Sequence, residues 1–168
     1  MALVVDASAA LALLRAEPGA AEVRRRLREQ VLAGEPILVP ALFWLEVVNV
    51  LAHRYRLPPH AIVEAVYELE QAGLTTADVG RPATLAVIDT VSRHGLTAYD
   101  AAYLVLSEST DARLLTADAA LAAAAGDRAI LVGAADRIAE SAATYTPDRS
   151  WTKWSGAAAY LAELRRAV

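Results

Sequence analysis

The sequence predicts an α/β domain whose parallel sheet carries helices on both faces, and three observations lead there. Five short apolar runs, at 2–6, 36–40, 74–79, 113–116 and 129–132, alternate with longer segments of helical periodicity. The first run, ALVVD, is continuously apolar up to its acid, which suits a strand buried on both sides. A chain of 168 residues, 56% of them hydrophobic, is long enough for one well-formed core and short for two.

Taken in order, Ser8 is placed to cap a helix over 9–15. Pro18, favoured in a first helical turn, opens a second helix running to Leu32, with Gly34 past its end. Its arginines alternate with acids, and the four-residue spacings Glu22/Arg26 and Arg25/Glu29 describe either a solvated helix face or a groove for RNA or an acidic partner. PILVP at 36–40 is the second strand. The following segment is apolar from 41 to 52 except at Glu46 and Asn49, so it reads as a helix buried nearly all round. Glu46, Asn49 and His53 would draw one polar line down it, and an ionised Glu46 there requires a partner.

Pro58 and Pro59 open a helix that directs Ile62, Val66 and Leu69 to one side and ends near Gly73. The third strand, LTTADV, spans 74–79. A helix begun at Pro82 turns Leu85, Ile88 and Val91 to the core and closes at Gly95. A helix over 98–109, a strand over 113–116, a helix over 118–125 and a last strand over 129–132 follow. From 134 onward a short helix, a loop holding Trp151 and Trp154, and a final helix capped by Ser155 are expected.

Four acids stand out: Asp6, Glu46, Asp100 and Asp118. Asp6 and Asp118 precede helical patterns as N-caps do, and Thr97 with Asp100 has the spacing of a capping box. Glu46 has no such role inside a helix. All four fall at compatible ends of the sheet elements, where open α/β folds place their chemistry. If they converge, two carboxylates about 4 Å apart repel by roughly 4 kcal/mol at an effective dielectric of 20, so they must take up protons or bind cations. An all-oxygen set favours Mg²⁺ or Mn²⁺ over zinc.

Composition narrows the field further. The absence of cysteine excludes disulfides, thiolate metal sites and cysteine nucleophiles. The N-terminal stretch lacks a basic segment and meets Asp6 early, which argues against a signal peptide. No apolar run reaches membrane-spanning length, and a soluble cytoplasmic protein is expected. A net charge of −4 argues against a broadly basic surface that follows phosphates by charge alone. No glycine-rich phosphate loop or dinucleotide turn is present. His53, His60 and His94 lack metal-ligand spacing.

In order and spacing, VVDASAALALL, FWLEVVNVL, LTAYDAAYLVL and LLTAD resemble the PIN domain of VapC-type toxins from bacterial toxin–antitoxin pairs. The resemblance spans about residues 2–132. It implies an α/β/α sandwich around a five-stranded parallel sheet, Mg²⁺- or Mn²⁺-dependent endoribonuclease activity on structured RNA such as tRNA or rRNA, and a homodimer neutralised by a small VapB-type antitoxin. The family's acidic site falls on Asp6, Glu46, Asp100 and Asp118, with Ser8 and Thr116 beside it; Asn49, one turn from Glu46, is placed either to hold a water or to satisfy backbone. A nuclease domain over 1–133 is expected, and the chain departs from the family's usual end by continuing into a helical extension over 134–168 expected to pack upon that domain. The readings that compete with this are a DNA nuclease and a PIN-like binding module without catalysis.

Overall fold

A computed structural model describes residues 1–77 and 80–133. Within them the strands are β1 (Leu3–Val5), β2 (Ile37–Pro40), β3 (Leu74–Ala77), β4 (Arg113–Thr116) and β5 (Ala129–Leu131), all paired in parallel in the order β3-β2-β1-β4-β5. Parallel neighbours require crossovers, and seven α-helices supply them: α1 (Ala7–Leu14), α2 (Ala20–Leu32), α3 (Leu42–Asn49), α4 (Pro59–Gln71), α5 (Gly80–His94), α6 (Ala98–Ser109) and α7 (Ala119–Ala125). The result is the expected three-layer α/β/α arrangement. The chain steps from β1 outward through β2 to β3, then returns to place β4 on the other side of β1. That reversal leaves a crevice at the carboxyl ends of β1 and β4, the position at which such sheets bind ligands.

The core explains why the strands are so apolar. Val4, Val5, Val39, Leu114 and Leu115 are fully buried, and Tyr103, Phe43, Leu104 and Leu106 close over them from the helices. Helix α6 buries seven consecutive residues, Ala101 to Ser107, and packs across β1, β2 and β4. It is the central strut of the domain.

Several sequence expectations shift. The first helix starts at Ala7 with Asp6 as its N-cap, so Ser8 lies in the first turn and its hydroxyl is used elsewhere. Helix α2 starts at Ala20, after Gly19 in a left-handed conformation, rather than at Pro18. The pairs Glu22/Arg26 and Arg25/Glu29 both form, at 2.8 and 2.5 Å. Hydrogen bonds from Arg25 and Arg26 hold the Glu22 carboxyl down to about 2. Those arginines belong to a solvated, self-paired face.

Helix α3 is not buried all round. Phe43 and Val47 are buried, whereas Leu45 is 74% exposed. The chain then passes into a π-turn (Val50–Arg54), which breaks the 3.6-residue register, and Asn49 and His53 point to solvent. On α4 the innermost line is Ala61, Ala65 and Leu69, with Ile62 and Val66 half-buried beside it. On α5 the inward face is Val87, Thr90 and Val91, and Leu85 and Ile88 are each 60% exposed. Two stripes on that helix have helical spacing, and the one with smaller side chains fits the close packing against α6. The expected extension over 134–168, with its two tryptophans, lies outside the described residues, as do positions 78 and 79 at the end of the third strand.

Candidate active site

Each of the four acids comes from a different element. Asp6 follows β1 directly, and its amide continues the ladder by donating to Leu115 O at 2.9 Å. It is only 5% exposed. A buried carboxylate must be hydrogen-bonded, and two hydroxyls serve it. Thr116, at the end of β4, donates to Asp6 Oδ2 at 2.8 Å, and Ser8 donates to the same oxygen. Each hydroxyl also accepts a backbone amide of the β4–α7 loop: Ser8 Oγ from Ala117 at 2.9 Å and Thr116 Oγ1 from Asp118 at 2.9 Å. Two small polar side chains thus fix the floor of the site, and among the described residues no buried side-chain polar atom is left unpaired.

Asp118 caps α7, its Oδ1 accepting from Ala120 and Leu121 at 2.7 and 2.9 Å. Asp100 stands in the first turn of α6. Thr97, the N-cap, accepts the Asp100 amide at 3.1 Å and returns its hydroxyl proton to Asp100 Oδ2 at 2.7 Å. The capping expected of Asp118 and of the Thr97/Asp100 pair is therefore observed.

Glu46 comes from the second turn of α3 and is half-buried. The partner it requires is Tyr103, whose hydroxyl donates to Glu46 Oε2 at 2.5 Å. Tyr103 is fully buried and lies one turn beyond Asp100 on α6. Sequence reasoning missed it, because an aromatic in the run AAYLVL reads as core packing. The available signal was the unmatched Glu46 together with the i, i+3 spacing from Asp100, which puts the phenol tip on the same side of the helix.

The electrostatics tie three of the acids into one group. Burial pushes the Asp6 carboxyl up, against the lowering effect of Ser8 and Thr116, and the charge of Asp100 raises it further. Glu46 is also raised, first by burial and then by the charges of Asp6 and Asp100, with the Tyr103 hydrogen bond opposing. The Tyr103 phenol is pushed far up by burial and by Glu46, so it remains a donor. Asp118 is linked to Asp6 through Thr116 rather than by a direct charge effect of this kind. Asn49 faces solvent and makes no described bond to Glu46.

The donor set suits a hard divalent cation: carboxylates and hydroxyls only, with Asp6 and Glu46 both raised by burial and, to a lesser degree, by neighbouring acids. Among the described residues, no three His, Asp or Glu side chains are grouped tightly enough to enclose an ion as they stand. Mg²⁺ keeps several waters and needs only one or two carboxylates, so this spacing is compatible with it.

A five-stranded parallel sheet in the order β3-β2-β1-β4-β5 covered by helices defines an open α/β domain, and comparison with known proteins makes that specific. Residues 3–127 match the PIN domain, and the chain belongs to that family, whose fold is generally that of a nuclease. Among solved structures, the chain is similar to PAE2754 from Pyrobaculum aerophilum, with 26% identity, a TM-score of 0.58, and coverage of 77% of this chain and 88% of that one. No curated protein matches.

Proposed function

We propose that the protein is a divalent-metal-dependent endoribonuclease of the VapC type, the toxin of a type II toxin–antitoxin pair, acting on structured RNA such as tRNA or rRNA. The observation that carries this reading is a PIN fold in which Asp6 and Glu46 are raised first by burial and then by the charge of neighbouring acids, Asp100 among them. Desolvated carboxylates within reach of one another's charge are relieved by a cation, and phosphodiester hydrolysis is a chemistry such a cation serves.

Asp6, Asp100 and Asp118, with Glu46 completing the cage, would hold Mg²⁺ or Mn²⁺. When bound, the ion grips a phosphate oxygen and increases the acidity of a water, supplying positive charge that a chain of net charge −4 lacks. The remaining work falls to the protein. Thr116 and Ser8 fix Asp6 so that one face of its carboxylate meets the crevice. Glu46 would orient the attacking water and take its proton as the water oxygen bonds to phosphorus and the bond from phosphorus to the leaving ribose oxygen breaks, that oxygen leaving with a proton from solvent. Ser8 and Thr116 support the acids through hydrogen bonds rather than through contact with RNA.

A homodimer, a small VapB-type antitoxin and a cytoplasmic location belong to the same proposal. The exposed apolar side chains Leu45, Leu85 and Ile88 support a protein partner, and among the described residues no helix is long and apolar enough to cross a membrane.

Incubation of the purified protein with RNA and with DNA, each with Mn²⁺ and with chelator, tests the reading. Cleavage of RNA that stops on chelation is expected. Cleavage that survives chelation contradicts the mechanism, preferential cleavage of DNA contradicts the substrate, and inertness towards both supports a binding module instead.

A further inference from the structure

Tyr103 links two of the acids, Glu46 through its hydroxyl and Asp100 through the helix they share. Its hydroxyl donates to Glu46 Oε2 at 2.5 Å. Its own backbone lies on α6, one turn from Asp100. A phenol oxygen has one proton to give, and here it goes to Glu46. The ring is held by complete burial among the residues of the core, so the position of the oxygen is set by packing and not by the carboxylates.

Without that hydroxyl, Glu46 would have every reason to move. Its carboxylate faces the charges of Asp6 and Asp100, and α3 exposes Leu45 and Val48 on either side of it, so rotation towards water is open. We infer that Tyr103 is a positioning residue: its hydroxyl holds Glu46 facing Asp6 and Asp100 against their repulsion, and so sets the spacing of the cation site. This rests on the metal-dependent nuclease reading given above. Hydrogen-bonded supports of metal ligands typically matter by 10–100-fold in metal affinity or activity, so a loss of about tenfold is the scale expected here.

Tyr103→Phe removes the oxygen and keeps the ring. We expect it to remain folded by circular dichroism, to bind Mn²⁺ about tenfold more weakly by electron paramagnetic resonance titration, and to lose kcat on RNA while KM for RNA is retained. In a Glu46→Gln background, where the site has already lost that charge, the same substitution should change Mn²⁺ affinity by less than about twofold. If Tyr103→Phe binds Mn²⁺ as tightly as the natural protein, or if its effect is undiminished in the Glu46→Gln background, the inference is overturned. Should the phenylalanine variant not fold, 4-aminophenylalanine at position 103 restores a donor at the same place; Mn²⁺ affinity near that of the natural protein supports the role, and a tenfold loss in the folded variant overturns it. Failure of the nuclease reading has a different signature: the natural protein itself would bind no Mn²⁺ and cleave no RNA.

Discussion

Thr116 donates to Asp6 Oδ2 at 2.8 Å across the β4–β1 boundary, and this bond joins the two strands where the sheet reverses direction. The same hydroxyl accepts the Asp118 amide, so one side chain positions two of the four acids. Thr116→Val keeps the shape and removes both bonds. Leaving a buried acceptor and an amide short of a partner costs on the order of 1–3 kcal/mol, which urea denaturation would measure. Unchanged stability would mean that the Asp6 carboxylate does not depend on the strand end.

The raised pKa of Asp6 makes stability depend on pH in a particular sense. A carboxyl whose folded pKa lies above its unfolded value contributes stability that is full below the unfolded pKa and is lost as pH rises through the folded one. Glu46 acts with the same sign. In metal-free protein, Asp6→Asn should therefore gain in Tm relative to the natural sequence at neutral pH, and the gain should shrink as the solution is acidified. Thermal melts across that range check the sign, and a gain that grows on acidification would contradict it.

Much of this was legible in the sequence because the signals were local. Helix α6 and strand β4 appear where Thr97, the apolar run and the following strand pattern put them. That Glu46 needs a partner was legible too, since a carboxylate on an otherwise apolar helix is costly without one, and Tyr103 supplies it. What was not legible depended on tertiary choice. Helix α5 offers two stripes, and packing on α6 selected Val87, Thr90 and Val91 over the larger Leu85 and Ile88. The exposure of Leu45 follows from the placement of α3 at the rim of the crevice, which its composition does not reveal. Tyr103 has one atom that matters to the site, and the rest of it is ordinary core.

Asp100 presses on both Asp6 and Glu46, so Asp100→Asn should relax both while leaving the Thr97 cap in place. The variant should fold, lose growth inhibition in cells, and lose RNA cleavage on the order of 100-fold or more, the scale of removing one positioned group from a catalytic set. Full toxicity of a soluble, folded variant would count against the site.

A different test concerns the frame of the domain. Gly133 follows β5 at φ 72°, and a Cβ built there would lie 2.7 Å from the Pro18 carbonyl oxygen, in the loop before α2. Gly133→Ala should cost about 2–4 kcal/mol from left-handed strain and overpacking together. Chemical denaturation with a readout of the whole domain would show it; a neutral substitution would mean that the two loops separate easily.

The most direct measurement is anomalous diffraction from crystals soaked in Mn²⁺. The account predicts a peak in the crevice at the ends of β1 and β4, within ligand or water-bridged reach of Asp6, Asp100 and Asp118, with Glu46 turned inward on the Tyr103 hydroxyl. A crevice without manganese at saturating concentration, or manganese bound only elsewhere on the surface, would contradict it.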